Sequence, residues 1–304
     1  MSQREERVVQ TLWGAVTDAG GRRRVNEDAV LARPPVFVVA DGMGGHVYGA
    51  MASACVVQAF AEFADQTVPG TPVEPAQINA VIHHAQNLIR AKLRALDDDR
   101  PARAQASSEG QSKPESGGSP SAPLAGTTVA GAVLTSRDGT PYWLVFNIGD
   151  SRVYRHDETG LSQISVDHSV VQELIDAGTI TADAARSHPE RNVITRAVDS
   201  ARAVQADFWM LHAGEEQTLL LCSDGLVGEL TAEEIGDILN SPGDPDKISR
   251  DLLHRAIDGG ARDNVSAVVV RLQMEYDDAG WVHLPAWDED LDDTLPRPGA
   301  EALR

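Results

Sequence analysis

Cysteine is scarce in this chain: Cys55 and Cys222 are the two thiols among 304 residues. Two cysteines build no disulfide framework, and neither has a Cys-x-x-Cys or Cys/His neighbourhood. That shortage favours a reducing compartment. Basic charge is also short, with 26 Lys and Arg against 46 Asp and Glu, for a formal charge of −20. Repulsion from phosphate backbones then argues against general nucleic-acid binding, whereas cation binding suits the sign. No apolar run approaches the roughly 18 residues needed to cross a bilayer. Met1–Gln10 is polar and charged and lacks the apolar stretch of a signal peptide. A soluble, cytoplasmic protein with no membrane or nucleic-acid partner is expected.

What is present suffices for a sizeable core, since 42% of residues are hydrophobic and 24% charged. Composition shifts twice along the chain. Residues 97–123 are rich in Ser, Pro, Gly and charge, and contain no apolar residue larger than alanine apart from proline. Such a stretch buries too little surface to offset chain ordering, so it reads as a disordered insertion that chemistry elsewhere does not need. Residues 273–304 form an acidic tail, with nine Asp and Glu against two Arg, punctuated by Trp281 and Trp287. Within it Asp292-Asp293-Thr294 looks like an acidic threonine site open to a kinase. The expected division is a flexible N-terminus over 1–10, one domain over 11–272 carrying the insertion, and the tail.

Periodicity supplies the elements. Ile78, Val81, Ile82, Ala85, Leu88, Ile89, Leu93 and Leu96 recur at spacings of three and four, one face of an amphipathic helix. An alanine-rich run over 47–64 reads as a second, more buried helix. Short apolar runs bounded by turn residues predict strands at 36–40, 128–134, 142–148, 151–155, 218–222 and 265–272. Several follow one another without a helical crossover, which points to antiparallel sheets packed with long helices, an α+β fold.

The chemistry lies in what ends these runs. Residues 36–40 close on Asp41-Gly42, 142–148 on Gly149-Asp150 and 218–222 on Ser223-Asp224-Gly225, while Asp263-Asn264 opens the last strand. Any one Asp-Gly pair is a common turn. Three in one chain, each closing an apolar run, suggest carboxylates held on rigid strand ends beside glycines that admit a ligand. Clustered carboxylates require counter-charge, and hard oxygen donors select Mg2+ or Mn2+. Arg22-Arg23-Arg24, just before Asn26-Glu27-Asp28, are suited to holding a phosphate.

Taken in order, Arg23-Arg24-Val25-Asn26-Glu27-Asp28, Asp41-Gly42-Met43-Gly44-Gly45-His46, Gly126-Thr127-Thr128, Asn147-Ile148-Gly149-Asp150-Ser151-Arg152, Ser223-Asp224-Gly225 and Asp263-Asn264 resemble the bacterial branch of the metal-dependent Ser/Thr protein phosphatases, type 2C, the PPM family. The resemblance runs from about Thr11 to Leu272, interrupted by the insertion. Residues 167–169 through 192–196 are similar to that family's mobile flap.

The resemblance implies a four-layer α-β-β-α sandwich and hydrolysis of phosphoserine and phosphothreonine in proteins by metal-activated water at a dinuclear Mn2+ or Mg2+ site. Asp41 matches the carboxylate bridging both ions, and Gly42 contributes its carbonyl. Asp224 and Asp263 match ligands of one ion. Glu27 and Asp28 match residues around the ligands, Arg23 the phosphate-binding arginine, and Asp150 a ligand of a third, weaker ion. Where relatives place another aspartate four residues beyond the one matched by Asp224, this chain has Gly228, so two tight ions and a weak third are expected. Ser/Thr-phosphorylated proteins, including a kinase or its substrates, are the implied partners.

Histidines carry little of this. His46 is a possible general acid for the leaving serine or threonine oxygen, although relatives that use a histidine have it where Met43 stands here. His83 and His84 read as helix surface, and His168 and His188 as residues shaping the flap. Cys55 and Cys222 read as core packing. A phosphatase working through an aspartyl-phosphate would need a second acid two residues after its nucleophile. Asp41 is followed by Gly42-Met43, which disfavours that class. A non-catalytic phosphoprotein-binding or regulatory module of the same fold remains the alternative, although Arg23, Asp41, Asp224 and Asp263 are all retained.

Overall fold

A computed structural model describes residues 9–98 and 125–274. The insertion beyond Asp98 and the tail beyond Met274, with Trp281, Trp287 and Thr294, lie outside the described residues. Thirteen strands are described, and ten of them form two five-stranded antiparallel sheets. One sheet runs β1 (Val9–Asp18), β13 (Val265–Met274), β12 (Thr218–Cys222), β8 (Arg152–Asp157), β9 (Gly160–Gln163). The other runs β11 (Asp207–His212), β7 (Thr140–Ile148), β6 (Val129–Arg137), β3 (Val36–Ala40), β2 (Ala29–Arg33). A small ribbon of β10 (Val198–Asp199), β5 (Gly126–Thr127) and β4 (Gly42–Met43) completes the set.

Strand periodicity builds the layers. Along β3, Val36, Val38 and Ala40 point to a core shared with helices, while Phe37 and Val39 point to the opposite sheet. In β12, Leu219 and Leu221 face between the sheets, and Leu220 and Cys222 face outward. Each central strand is therefore buried on both faces, which is why these strands read as continuous apolar runs. Three apolar layers result. The first joins the β3 sheet to α1 (His46–Gln66) and α2 (Pro75–Asp98). The second lies between the sheets. The third joins the β12 sheet to α5 (Asp224–Glu229), α6 (Ala232–Leu239) and α7 (Pro245–Asp258). This is the expected α-β-β-α sandwich. The connection between β9 and β10 carries two short helices, α3 (Val170–Asp176) and α4 (Ala182–Ala185).

Several boundaries differ from expectation. Asp97 and Asp98, assigned to the insertion, are the last residues of α2. Val9 and Gln10 pair with Met274 and Gln273, so the first and last strands extend beyond residues 11 and 272. The expectation that no segment is long and apolar enough to cross a bilayer also needs correcting. Val47–Gln66 has that length and composition, reached largely through alanine. In this fold its Ala52, Cys55, Val56, Ala59 and Phe60 face is buried against the sheet and α2. Both cysteines are free and buried, as expected of packing residues.

Close packing between β6 and β7 fixes the strand that carries the Gly149-Asp150 turn. Gly131 faces Phe146 across the pair, and a Cβ there would lie 2.0 Å from the ring. Phe146 in turn stacks on Phe60 of α1, with ring centroids 5.1 Å apart. Gly131→Ala must displace that ring, at a cost of about 1–3 kcal/mol. Urea unfolding of the variant is expected to show a lower midpoint with an unchanged slope.

Candidate metal and phosphate site

Acidic residues from five distant parts of the chain converge at one edge of the sandwich, and each backbone is separately fixed. Asp41 leaves β3 and is held from two sides. Its N–H donates to Thr128 Oγ1 at 3.0 Å, and its carbonyl accepts from Thr128 N–H at 2.9 Å and Thr127 Oγ1 at 2.8 Å. Thr128 Oγ1 also lies 2.7 Å from Ser151 Oγ, linking this turn to the one bearing Asp150. Gly42 is required by contact: a Cβ there would meet the Gly49 carbonyl at 2.3 Å and the Glu27 carbonyl at 2.5 Å. Helix α1 thus presses against both the Asp41-Gly42 turn and the Glu27 loop.

Asn264 organises the loop between β1 and β2. Its Oδ1 accepts from Glu27 N–H at 2.9 Å, and its Nδ2 donates to the carbonyls of Ala19 and Val25, both at 3.1 Å. Ser53 Oγ caps the Glu27 carbonyl. Ser266 Oγ donates to Asp28 Oδ2 at 2.7 Å. Asp224 begins α5, and Gly225 lets the Asp263-Asn264 backbone approach, since a Cβ at 225 would lie 2.0 Å from the Asn264 carbonyl. Arg23 Nη2 lies 2.8 Å from Asp263 Oδ2, with both side chains nearly half exposed. The roles of Thr127, Thr128, Ser151, Asn264 and Ser266 were not assigned from sequence, although the first four stand inside the recognised motifs.

Electrostatics show how closely the acids sit. Burial, then the charges of Asp28, Asp224 and Asp150, pushes the Asp41 carboxyl well above its usual range. Burial, then Asp263, raises Asp224. Asp150 is pushed up to about 7 by burial and then by Asp224 and Asp167. Asp28 reaches about 6, chiefly through burial, against the opposing hydrogen bonds of Ser266 and Ser223. The Asp41 and Asp224 carboxyls interact directly, which favours a proton on Asp41 over one on Asp224. Arg152 places a half-buried cation beside these acids. Its Nε and Nη2 grip Asp167 at 2.6–3.0 Å, and its charge favours ionised Asp150 and Asp224. Sequence reading passed over that role.

Asp28 Oδ1 is buried and has no hydrogen-bond partner. Among the described residues, no three Asp, Glu, His or Cys side chains stand close enough as placed to enclose one ion. The donor set is nevertheless all oxygen, mutually repelling and partly unsatisfied, and so fits hard divalent cations. The residues brought together are Arg23, Glu27, Asp28, Asp41, Gly42, Asp150, Asp224 and Asp263. His46 opens α1, but its side chain lies outside those described. His83 and His84 sit on the helix surface, where His84 Nε2 reaches Glu62 at 2.9 Å. At Gly228 a Cβ would meet nothing within 4 Å, so the position is open.

The protein phosphatase 2C family pattern matches residues 21–252. The chain belongs to that family. As a type 2C chain it is 34% identical over 265 residues to the serine/threonine protein phosphatase PstP of Mycobacterium tuberculosis, covering 87% of this chain and 45% of the relative. The chain thus spans less than half the length of that relative. It is 29% identical to the serine/threonine phosphatase stp of Listeria welshimeri, over 85% of this chain and 94% of the other. Among solved structures, the PstP catalytic domain in complex with two manganese ions superposes with a TM-score of 0.69 at 29% identity. It covers 87% of this chain and 99% of that one. Stp1 of Staphylococcus aureus gives 0.66 at 27%, over 89% of this chain and 99% of its own.

The raised carboxyls carry a pH signature. An acid whose folded pKa exceeds its unfolded value stabilises the fold below the unfolded value, and that contribution is lost as pH rises through the folded one. For Asp28 and Asp150 the window runs from about 4 in the unfolded chain to the 6 and 7 of the fold. The metal-free protein is therefore expected to melt at a higher temperature at pH 5 than at pH 7.5. Saturating Mn2+ should shrink that difference.

Proposed function

We propose that this protein is a divalent-metal-dependent phosphatase acting on phosphoserine and phosphothreonine in proteins. The observation carrying the reading is the gathering of Asp28, Asp41, Asp150, Asp224 and Asp263 into mutual electrostatic contact, with Arg23 at their rim. Membership of the type 2C family and the two manganese ions of the PstP domain support it. When bound, two Mn2+ or Mg2+ ions supply an acidified water and neutralise charge on the transferring phosphoryl group.

The chain's own residues do the rest. Asp41, the Gly42 carbonyl, Asp224 and Asp263 hold the ions, and Glu27 and Asp28 orient what surrounds them. Asp150 serves a third, weaker ion. Arg23 is already tied to Asp263, so a substrate phosphate exchanges one oxyanion partner for another at the same guanidinium. In-line displacement at phosphorus needs such positioning more than a side-chain nucleophile. Burial pushes the Cys222 thiol up to about 12, which leaves it inert as a nucleophile. His46 is proposed as a possible general acid only through its place at the end of the glycine-rich turn. A cytoplasmic location, and a kinase or its substrates as partners, belong to the same proposal. The free, buried thiols support that location.

Turnover of a phosphothreonine peptide by the purified chain tests this reading directly. Activity should require added Mn2+ or Mg2+, with Mn2+ the better, and activity surviving exhaustive chelation would refute it. Asp41→Asn should remove nearly all turnover. Arg23→Ala should chiefly raise KM, and an unchanged KM at full kcat would refute the role given to Arg23.

Gly228 offers a separate measurement. Calorimetric titration of metal-free protein should resolve two tight Mn2+ sites and a third seen only at high concentration. Gly228→Asp should tighten that third site, because an added carboxylate replaces water in the coordination of a hard cation. Three comparable sites in the parent, with no gain in the variant, would refute the assignment.

A further inference from the structure

A buried polar cluster lies behind the acidic site and takes no part in it directly. Gly149, the residue before Asp150, is gripped at both ends of its backbone. Its N–H donates to His168 Nδ1 at 3.1 Å, and its carbonyl accepts from His168 N–H at 2.8 Å and Asn147 Nδ2 at 3.0 Å. Its φ is +106°, and a Cβ would press on Thr128 at 2.6 Å, so the turn admits little else. The far edge of the ring meets Asp207, with Nε2 3.2 Å from Oδ2, while Oδ1 of the same carboxylate takes Arg196 Nη1 at 2.8 Å. His168 is 5% exposed and Asn147 and Asp207 are as deeply buried.

A backbone N–H only donates, so His168 Nδ1 is bare and the ring proton sits on Nε2, facing Asp207. His168 belongs to the segment between β9 and β10, whose backbone returns through Thr195 N–H to the His168 carbonyl at 2.8 Å. The ring therefore joins the root of that segment to the turn between β7 and β8.

We propose that His168, as its Nε2–H tautomer braced by Asp207, is a positioning residue that sets the direction of Asp150 by clamping the Gly149 peptide. The inference rests on the phosphatase reading for what Asp150 does, but the clamp itself is read without metal or substrate. Rotation of the Gly149 peptide re-aims the next side chain, so the acceptor at Nδ1, rather than the bulk of the ring, is the functional feature. Outer hydrogen-bond partners of this kind change metal affinity without touching the ion.

Nitrogen NMR of the metal-free wild-type protein reads the tautomer. Protonated Nε2 with bare Nδ1 is expected, and protonated Nδ1 overturns the proposal. Two replacements separate the ring's contacts: His168→Asn keeps an acceptor where Nδ1 stands, and His168→Gln keeps a donor towards Asp207 but removes that acceptor. In metal-free protein the Gly149 amide should exchange about tenfold faster in H168Q than in H168N, the loss of one buried hydrogen bond. Calorimetry should show the weakest Mn2+ site about tenfold weaker in H168Q than in H168N, with the tighter sites alike. Equal Gly149 exchange and equal Mn2+ affinities in the two variants overturn the proposal. Absence of phosphatase activity in the wild type would be a failure of the parent reading alone, because tautomer and exchange decide the clamp either way.

Discussion

Mutual repulsion among buried carboxylates is the constraint around which this molecule is organised. Asp28, Asp41, Asp150 and Asp224 all resist ionisation where they stand, and each lies close enough to feel at least one of the others. Placing such a group at the edge of a sandwich costs stability unless cations repay it. The fold meets that cost with rigidity. Every acid is held by backbone that cannot relax away: Asp41 by two threonines, Asp263 and the Glu27 loop by Asn264, Asp224 by the start of a helix, Asp150 by a clamped glycine. The double burial of the central strands supplies the stiffness beneath them.

Glycine has two separate uses here. Gly42 and Gly225 are required by contact, because other backbones pass within 2.0–2.5 Å of where a side chain would begin. Gly149 is required by conformation as well. The two kinds look identical in sequence, and both sit beside an acid. Their shared effect is to bring strands and loops near enough for carboxylates from separate elements to meet.

Legibility followed from periodicity and from local motifs. Strands β3 and β12 were readable to the residue because both faces are apolar, and the acid-glycine pairs behind them marked the site. Strands β1, β2 and β11 passed unseen. β1 holds an edge with Leu12 and Trp13 partly exposed, and β2 is only half buried, so neither gives a clean run. The helices after Asp224 also passed unseen, although Ile248, Leu252 and Ala256 of α7 recur at the helical spacing of four and Thr231 with Glu234 forms a capping box before α6. Within the site, the acids were legible as a class, but their supports were not. Arg152, Asn264 and Ser266 act through contacts to residues 15 to 245 positions away, which no local pattern encodes.

The pairing of β1 with β13 sets the order in which this site can come into being. Arg23 reaches Asp263 across 240 positions and Asn264 reaches Ala19 across 245, so these ties of the N-terminal loop wait for the last strand, although Ser53 can already hold the Glu27 carbonyl. During synthesis the first 260 residues can collapse and form much of the β3 sheet with α1 and α2, but they cannot close the acidic edge. Such non-local closure folds slowly and leaves strand edges open in the interval. A ribosome-bound nascent chain thus completes its acidic edge only when almost the whole sandwich has emerged, and closure of that edge becomes a report that β13 is in place.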